Sequence, residues 1–133
     1  FSVHPRTLKN IKKFNLSQHV KNLKNLIITE PLGYLDFLSL MSNSKFVLTD
    51  SGGIQEETTV LGVPCITLRN NTERPVTVEQ GTNLLVSTDR NKILKKVSGI
   101  TDNKINIKNR IPDLWDGKAA KRIVNILIKN FNI

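Results

Sequence analysis

The sequence predicts an α/β fold, a Rossmann-like parallel sheet with flanking helices, and three observations support it. Short apolar, β-branched runs alternate with longer stretches whose apolar residues recur at helical spacing. A hydrophobic fraction of 38% and a charged fraction of 23% are typical of a globular protein. No apolar run reaches the roughly 18 residues that a membrane-spanning helix needs. With 133 residues the chain has the length of one domain.

Five strands are predicted in the apolar runs, at Phe1–His4, Leu26–Thr29, Phe46–Thr49, Cys65–Leu68 and Leu84–Val86. Helical periodicity predicts six helices, at Thr7–Phe14, Tyr34–Met41, Ile54–Leu61, Pro75–Gln80, Arg90–Val97 and Asp116–Phe131. Strands joined by helical crossovers form parallel sheets, and ligands of such sheets gather at the carboxyl ends of the strands. A binding site is therefore expected where these strands end.

The third predicted strand ends in a sharp strand-to-helix junction, Asp50-Ser51-Gly52-Gly53. Two glycines let a ligand approach the backbone without meeting a Cβ atom, and the first turn of a helix offers free N–H groups and a partial positive charge. This junction predicts a diphosphate site. Ser51 either gives its hydroxyl to the same anion or only caps the helix. Asp50 is expected to order the turn through an Asx hydrogen bond.

Two charged residues near this junction are further candidates for binding. Glu57 lies one helical turn beyond Gly53, where a carboxylate can accept both hydrogens of a vicinal diol such as that of ribose. The alternative is an exposed glutamate paired with a lysine. Arg74, in the loop after the fourth strand, can bind phosphate bidentately, or it pairs internally with Glu73 or Glu79.

The formal net charge of +9 raises the question of a nucleic-acid partner. The basic residues are spread over three stretches that are read as solvated helix faces, Lys9–Lys24, Arg90–Lys96 and Lys118–Lys129. They do not form one cluster interleaved with aromatic side chains. Neither a nucleic acid nor a membrane is predicted as a partner.

The single cysteine, Cys65, has no partner for an internal disulfide and no second thiol for a metal site. It is expected to be a buried, inert thiol in a reducing compartment, and a cytoplasmic location is predicted. No metal site and no cofactor are predicted.

Several motifs together resemble one known family, the non-hydrolysing UDP-N-acetylglucosamine 2-epimerases. The motifs are DSGGIQEE at Asp50–Glu57, LGVPCITLRNNTERP at Leu61–Pro75, VEQGTNLLV at Val78–Val86, VHPRT at Val3–Thr7, EPLGYLDFLSLM at Glu30–Met41 and LWDGKAAKRIV at Leu114–Val124. They cover nearly the whole chain, and the pairing of DSGGIQEE with TERP is specific.

The resemblance implies a two-domain enzyme of the GT-B type that interconverts UDP-GlcNAc and UDP-ManNAc by elimination and re-addition of UDP. Residues 1–133 would form a single partial domain, the nucleotide-binding C-terminal half, without the N-terminal domain. Because the family's catalytic carboxylates and histidine belong to the missing part, no catalytic residue is expected in this chain. The chain alone is expected to be inactive, and the full-length protein is expected to be a homodimer.

By matching motif, the resemblance assigns the diphosphate to Ser51, Gly52 and Gly53, and the ribose to Glu57. Arg74 of the TERP loop would also contact the nucleotide. In the family an acidic residue normally follows TERP, whereas this chain has valine at position 76.

Two further residues are assigned by resemblance alone. Phe37 would pack against uracil, or it is only a core residue. His4 would match a regulatory UDP-GlcNAc site, or it is structural at the end of a strand. Two other functions remain open: a nucleotide-binding or interaction module without catalysis, and a hydrolysing epimerase or other GT-B nucleotide-sugar enzyme.

Overall fold

The structure, a computed structural model, describes residues 1–105, 107 and 110–131. Its internal contacts divide the chain into two compact units, an N-terminal unit, Phe1–Leu40, and a C-terminal unit, Met41–Ile133. The single domain expected over residues 1–133 stays a prediction.

The N-terminal unit is mainly helical, with α1 (Pro5–Lys13), α2 (Ser17–Lys21) and most of α3 (Tyr34–Ser42). The first two predicted strands are reduced to one parallel bridge between Ser2 and Thr29. Two backbone hydrogen bonds hold it, from Val3 N to Thr29 O and from Thr29 N to Phe1 O. Both predicted segments thus take part in parallel pairing, but the predicted strands were too long. Helix α2 was not predicted, because Val20 is its single apolar residue and no helical periodicity can show.

The C-terminal unit contains a parallel sheet in the order β1-β2-β3. The strands are β1 (Val47–Thr49), β2 (Cys65–Thr67) and β3 (Asn83–Leu85), and the helices are α4 (Gly52–Leu61), α5 (Pro75–Glu79), α6 (Arg90–Thr101) and α7 (Ala119–Phe131). Each strand lies within one residue of its prediction, and the predicted alternation of parallel strands and helices is confirmed. Asp116, predicted as the start of α7, lies three residues before it.

The two faces of this sheet differ in chemistry. Ile66 and Val86 form the apolar face and pack with Ile100 near the end of α6. The partly buried side chains around them are Phe46, Leu68, Leu84, Ile93, Val97, Ile105 and Ile107. Burying a side chain such as Ile66 completely stabilises the fold by about 2 kcal/mol. Because side chains alternate along a strand, Cys65 and Thr67 lie on the opposite face.

That opposite face is polar, although it is buried. Thr67 and Asn83 on the sheet, Gln55 on α4 and Thr77 on α5 are all at most 2% exposed. Hydrogen bonds between these side chains replace their bonds to water, which is the condition for burying polar groups at little cost. This polar layer joins the sheet to the helices that carry the candidate site.

Helix α4 ends at Gly62, whose φ of +71° is in the left-handed region. Glycine adopts this conformation without strain, and it lets the chain reverse from α4 into β2. Val63 N then donates to Thr58 O at 2.9 Å, a bond that satisfies one of the last carbonyls of the helix.

Helix α7 buries none of its residues among the parts of the chain that the structure describes. Its apolar side chains, Ile123, Val124, Ile126, Leu127, Ile128 and Phe131, are exposed. Among residues 1–105, 107 and 110–131, no helix combines the length and apolar character needed to cross a bilayer.

Candidate functional site

The junction between β1 and α4 has the predicted strand-turn-helix form. Ser51 is the N-cap residue, in an extended conformation with φ −82° and ψ 134°, but its hydroxyl makes no capping hydrogen bond. The capping alternative is therefore not observed, and the exposed hydroxyl is available to a ligand. The turn is held by Thr49, whose Oγ1 accepts from Ser51 N at 3.1 Å. The Asx hydrogen bond expected for Asp50 is not observed among the described residues, and the hydroxyl of Thr49 holds the turn in its place.

Gly52 and Gly53 form the start of the first turn of α4, and both have open space where a side chain would be. A Cβ atom built on either residue has no heavy atom within 4 Å, and neither has a positive φ. Glycine in a helix costs roughly 0.5–1 kcal/mol relative to alanine. Nothing in the described chain requires this cost, and no acidic residue in the first turn neutralises the positive helix end. The geometry therefore leaves room for an anion beside the free N–H groups.

Glu57 is half-buried on α4, one turn beyond the glycines. Among the described residues, none forms a hydrogen bond or an ion pair with its carboxylate. The alternative of a lysine partner is therefore not observed. A half-buried carboxylate without a protein partner is free to accept hydrogen bonds from a ligand hydroxyl pair.

Arg74 precedes α5 and its side chain reaches α4. Its Nε lies 2.9 Å from Oε1 of Glu56, and the two side chains are 43% and 40% exposed. Neither alternative considered from the sequence, pairing with the carboxylate of Glu73 or of Glu79, is observed among the described residues, where the guanidinium donates instead to the carbonyl oxygen of Glu73 at 3.3 Å. The Nε–H is buried but not aligned with any acceptor, so its contact with Glu56 is an ion pair without a proper hydrogen bond. Such an exposed pair contributes less than about 1 kcal/mol, and a phosphate can replace Glu56 at little cost.

A buried hydrogen-bond network connects α4 to the loop that carries Arg74. The side-chain oxygen of Gln55 accepts from Thr72 Oγ1 at 2.6 Å and from Asn83 Nδ2 at 2.9 Å. Asn83 also accepts from Thr67 Oγ1 at 2.6 Å and donates to Thr77 Oγ1 at 3.1 Å. The same network therefore contacts both the helix that begins at the glycine turn and the loop that carries Arg74.

Sequence reasoning missed Gln55, Thr72 and Asn83. A signal for them was present, because Asn83 immediately precedes the apolar run of the last strand and Gln55 shares a helical face with Thr58 and Thr59. Polar residues at such inward positions indicate a buried network when several of them occur together.

The remaining two candidates, His4 and Phe37, belong to the N-terminal unit. His4 is exposed, and its Nδ1 accepts from Arg6 N at 3.2 Å, so that it caps α1. Phe37 is half-buried on α3. The other five candidates belong to the C-terminal unit, where α4 carries or adjoins four of them and the Glu56–Arg74 ion pair links the fifth to α4.

Comparison with known proteins gives one consistent family. The family model described as UDP-N-acetylglucosamine 2-epimerase matches residues 1–128. The UDP-N-acetylglucosamine 2-epimerase of Methanocaldococcus jannaschii is 52% identical over 127 residues, covering 96% of this chain and 34% of that protein. The enzyme of the same name from Methanococcus maripaludis is 42% identical over 127 residues, with the same coverage of 96% and 34%. The chain thus spans about a third of the length of these relatives.

Solved structures give the same result. The M. jannaschii UDP-GlcNAc 2-epimerase in complex with UDP-GlcNAc and UDP has a TM-score of 0.80 at 51% identity, over 97% of this chain and 35% of that one. The enzyme from Neisseria meningitidis bound to UDP-GlcNAc has a TM-score of 0.68 at 34% identity, over 98% and 35%. The predicted fold class is confirmed, and the chain belongs to the UDP-N-acetylglucosamine 2-epimerase family.

Proposed function

We propose that this chain supplies the UDP-binding half-site of a UDP-N-acetylglucosamine 2-epimerase, an isomerase that interconverts UDP-GlcNAc and UDP-ManNAc. The observation that carries the proposal is the pair Gly52 and Gly53, which the fold itself does not need and which opens the N-terminus of α4 to an anion. The relative from M. jannaschii, whose structure is described as a complex with UDP-GlcNAc and UDP, supports the choice of ligand.

The diphosphate is bound by Ser51 Oγ, by the N–H groups of Gly52 and Gly53, and by the guanidinium of Arg74. In elimination, the bond between sugar C1 and the β-phosphate oxygen breaks and negative charge develops on the diphosphate. Fixed N–H groups and a guanidinium stabilise that charge without reorganising, which lowers the barrier. The half-site therefore supports departure and return of UDP.

The uridine end of the ligand is assigned to two other side chains. Glu57 accepts hydrogen bonds from the ribose hydroxyl pair, and the lack of a partner for its carboxylate among the described residues supports this role. Phe37 packs against uracil, and His4 contributes to a regulatory UDP-GlcNAc site; these two roles rest on motif resemblance alone.

Epimerisation at C2 also needs groups that remove and return a proton at carbon. We assign these groups to an N-terminal domain outside this chain, so that the chain alone binds UDP without turnover. The full-length protein is proposed to be a cytoplasmic homodimer that uses no cofactor. Burial raises the pKa of the Cys65 thiol and keeps it protonated, which makes it poorly reactive.

The proposal is tested by amide NMR of the chain titrated with UDP, with uridine and inorganic phosphate as control ligands. UDP is expected to shift the Gly52 and Gly53 amides, and Gly53→Val is expected to abolish the shift, because the branched side chain fills the space of the anion. A well-dispersed wild-type spectrum without a response at millimolar UDP would overturn the proposal. The interaction-module alternative, which the exposed apolar face of α7 favours, would then take its place.

A further inference from the structure

Gln55 is completely buried, and both ends of its side-chain amide are hydrogen-bonded. Its Nε2 donates to the carbonyl oxygen of Ser51 at 3.1 Å. Its Oε1 accepts from Thr72 at 2.6 Å and from Asn83 at 2.9 Å. One amide thus contacts both the glycine turn and the loop before Arg74.

The bond to Ser51 has a consequence for the adjoining N–H group. The carbonyl of Ser51 and the N–H of Gly52 belong to one peptide plane, and in a trans peptide they point in opposite directions. Gln55 holds the Ser51 carbonyl, which points along α4 as the first helix acceptor, so the Gly52 N–H points out of the N-terminus of the helix. Gln55 therefore orients a donor that it does not touch.

The other end of Gln55 acts on the Arg74 backbone. Thr72 Oγ1, which donates to Gln55, accepts from Arg74 N at 2.9 Å. The carbonyl of Arg74 accepts from Thr77 Oγ1 at 2.7 Å, and Thr77 Oγ1 in turn accepts from Asn83 at 3.1 Å. The peptide groups on both sides of Arg74 are thus connected to the same buried amide.

We infer that Gln55 is a positioning residue that sets the spacing between the Gly52 N–H and the Arg74 guanidinium, so that one diphosphate meets both. This inference rests on the proposed function. A ligand held by two elements gains the full benefit of both only when they are already in register, because otherwise binding must order the loop. Glutamine suits the position since it offers a donor to Ser51 and an acceptor to Thr72; a carboxylate would lack the donor.

The test is a double-mutant cycle on UDP affinity in the whole chain, measured by NMR titration. Thr72→Val removes the link to the Arg74 loop and is expected to weaken UDP binding about three- to tenfold, the effect of one lost hydrogen bond. Thr72→Ser keeps the hydroxyl and restores the affinity. Gln55→Met is expected to weaken UDP binding by a similar factor. Because both substitutions break the same link, the variant that carries both should bind UDP as well as the single variant with the lower affinity. Independent structural damage would instead add up.

Thr58→Val is the matched control. Thr58 is as buried as Gln55, but its hydroxyl donates to helix carbonyls, Ile54 O at 2.7 Å and Gln55 O at 3.2 Å, and not to the Arg74 loop. UDP affinity of this variant should equal that of wild type. If Gln55→Met does not fold, the half-buried Thr72 variants decide alone.

Two results overturn the inference. The first is that the wild-type chain binds UDP, but Thr72→Val binds it with the same affinity or Thr72→Ser does not restore the affinity. This result overturns the positioning role and leaves the proposed function standing. A wild-type chain that does not respond to UDP overturns the proposed function and this inference together.

Discussion

Gly81 and the pair Gly52–Gly53 lie close to the same polar layer, but for opposite reasons. A Cβ atom on Gly81 would lie 2.6 Å from the Thr59 side chain and 2.7 Å from the backbone oxygen of Thr77. Gly81 is therefore a glycine that the fold requires. At Gly52 and Gly53 the same construction meets no atom within 4 Å.

The difference shows two reasons for a glycine that cannot be told apart from the sequence alone. Where close packing excludes a side chain, the glycine serves stability. Where space is open and the backbone is ordinary helix, the chain bears a cost of roughly 0.5–1 kcal/mol for no internal benefit. Contact with a molecule outside the chain is then the reason for the residue, and the diphosphate proposed above is such a molecule.

The largest effect is expected at the packed glycine. Gly81→Ala should lower the free energy of unfolding by about 3 kcal/mol, because neither the Thr59 side chain nor the Thr77 backbone can move without disturbing the buried layer. Urea denaturation followed by circular dichroism measures the change. A loss of unfolding free energy below about 1 kcal/mol would show that the buried layer relaxes easily. Gly81 would then not be a glycine that the fold requires.

The second prediction concerns the open glycines, where stability and binding should move in opposite directions. Gly53→Ala is expected to raise the free energy of unfolding by about 0.5–1 kcal/mol, since alanine is the better helix residue. The added methyl group enters the proposed diphosphate space, and UDP affinity should fall more than about tenfold, or about 1.4 kcal/mol. Denaturation and NMR titration of the same variant give both values. A variant that is more stable and binds UDP normally would contradict the assignment.

A smaller effect should follow at Glu57, whose carboxylate has no partner among the residues that the structure describes. Glu57→Gln keeps one acceptor oxygen but loses the charge, and it should weaken UDP binding about three- to tenfold. The control is 2′-deoxy-UDP, which lacks one of the two ribose hydroxyls. Wild type should discriminate against this ligand, and the variant should discriminate less. Equal discrimination by both proteins would place Glu57 away from the ribose.

Much of this comparison was accessible from local sequence signals. The apolar runs predicted the three strands of the C-terminal sheet, and the Ser51-Gly52-Gly53 letters predicted the helix junction, because each depends on neighbouring residues. The first two predicted strands failed in length, since an apolar run indicates that a segment can pair but not how far the pairing extends.

The parts that could not be predicted depend on contacts between distant residues. Gln55 and Asn83 are 28 positions apart, and Gln55 and Thr72 are 17 apart. Arg74 had two candidate partners close in sequence, Glu73 and Glu79, yet it pairs with Glu56, because the polar layer brings its loop beside α4. Periodicity and motif spacing contain no information on such pairs.

The smallest effect is expected in the pH dependence of stability, and it concerns Cys65 on the buried face of β2. Burial raises the pKa of its thiol, outweighing the lowering effect of hydrogen bonds with Thr58 and Thr67. The folded chain therefore holds this proton more tightly than the unfolded chain. Stability is unaffected below the ordinary thiol pKa of 9.0 and falls as pH rises above it, where only the unfolded chain releases the proton.

The measurement compares wild type with Cys65→Ala between pH 8 and 10, because lysine and tyrosine titrations affect both proteins equally and cancel in the difference. The advantage of wild type over the variant should be constant below about pH 9 and should shrink above it by no more than about 1.4 kcal/mol per pH unit, the limit for one proton. A difference that stays constant to pH 10 would mean that the thiolate is as well solvated in the folded chain as in water. The buried layer would then be open to solvent at Cys65, and the contrast between the packed face and the open glycine turn would be weaker than the structure indicates.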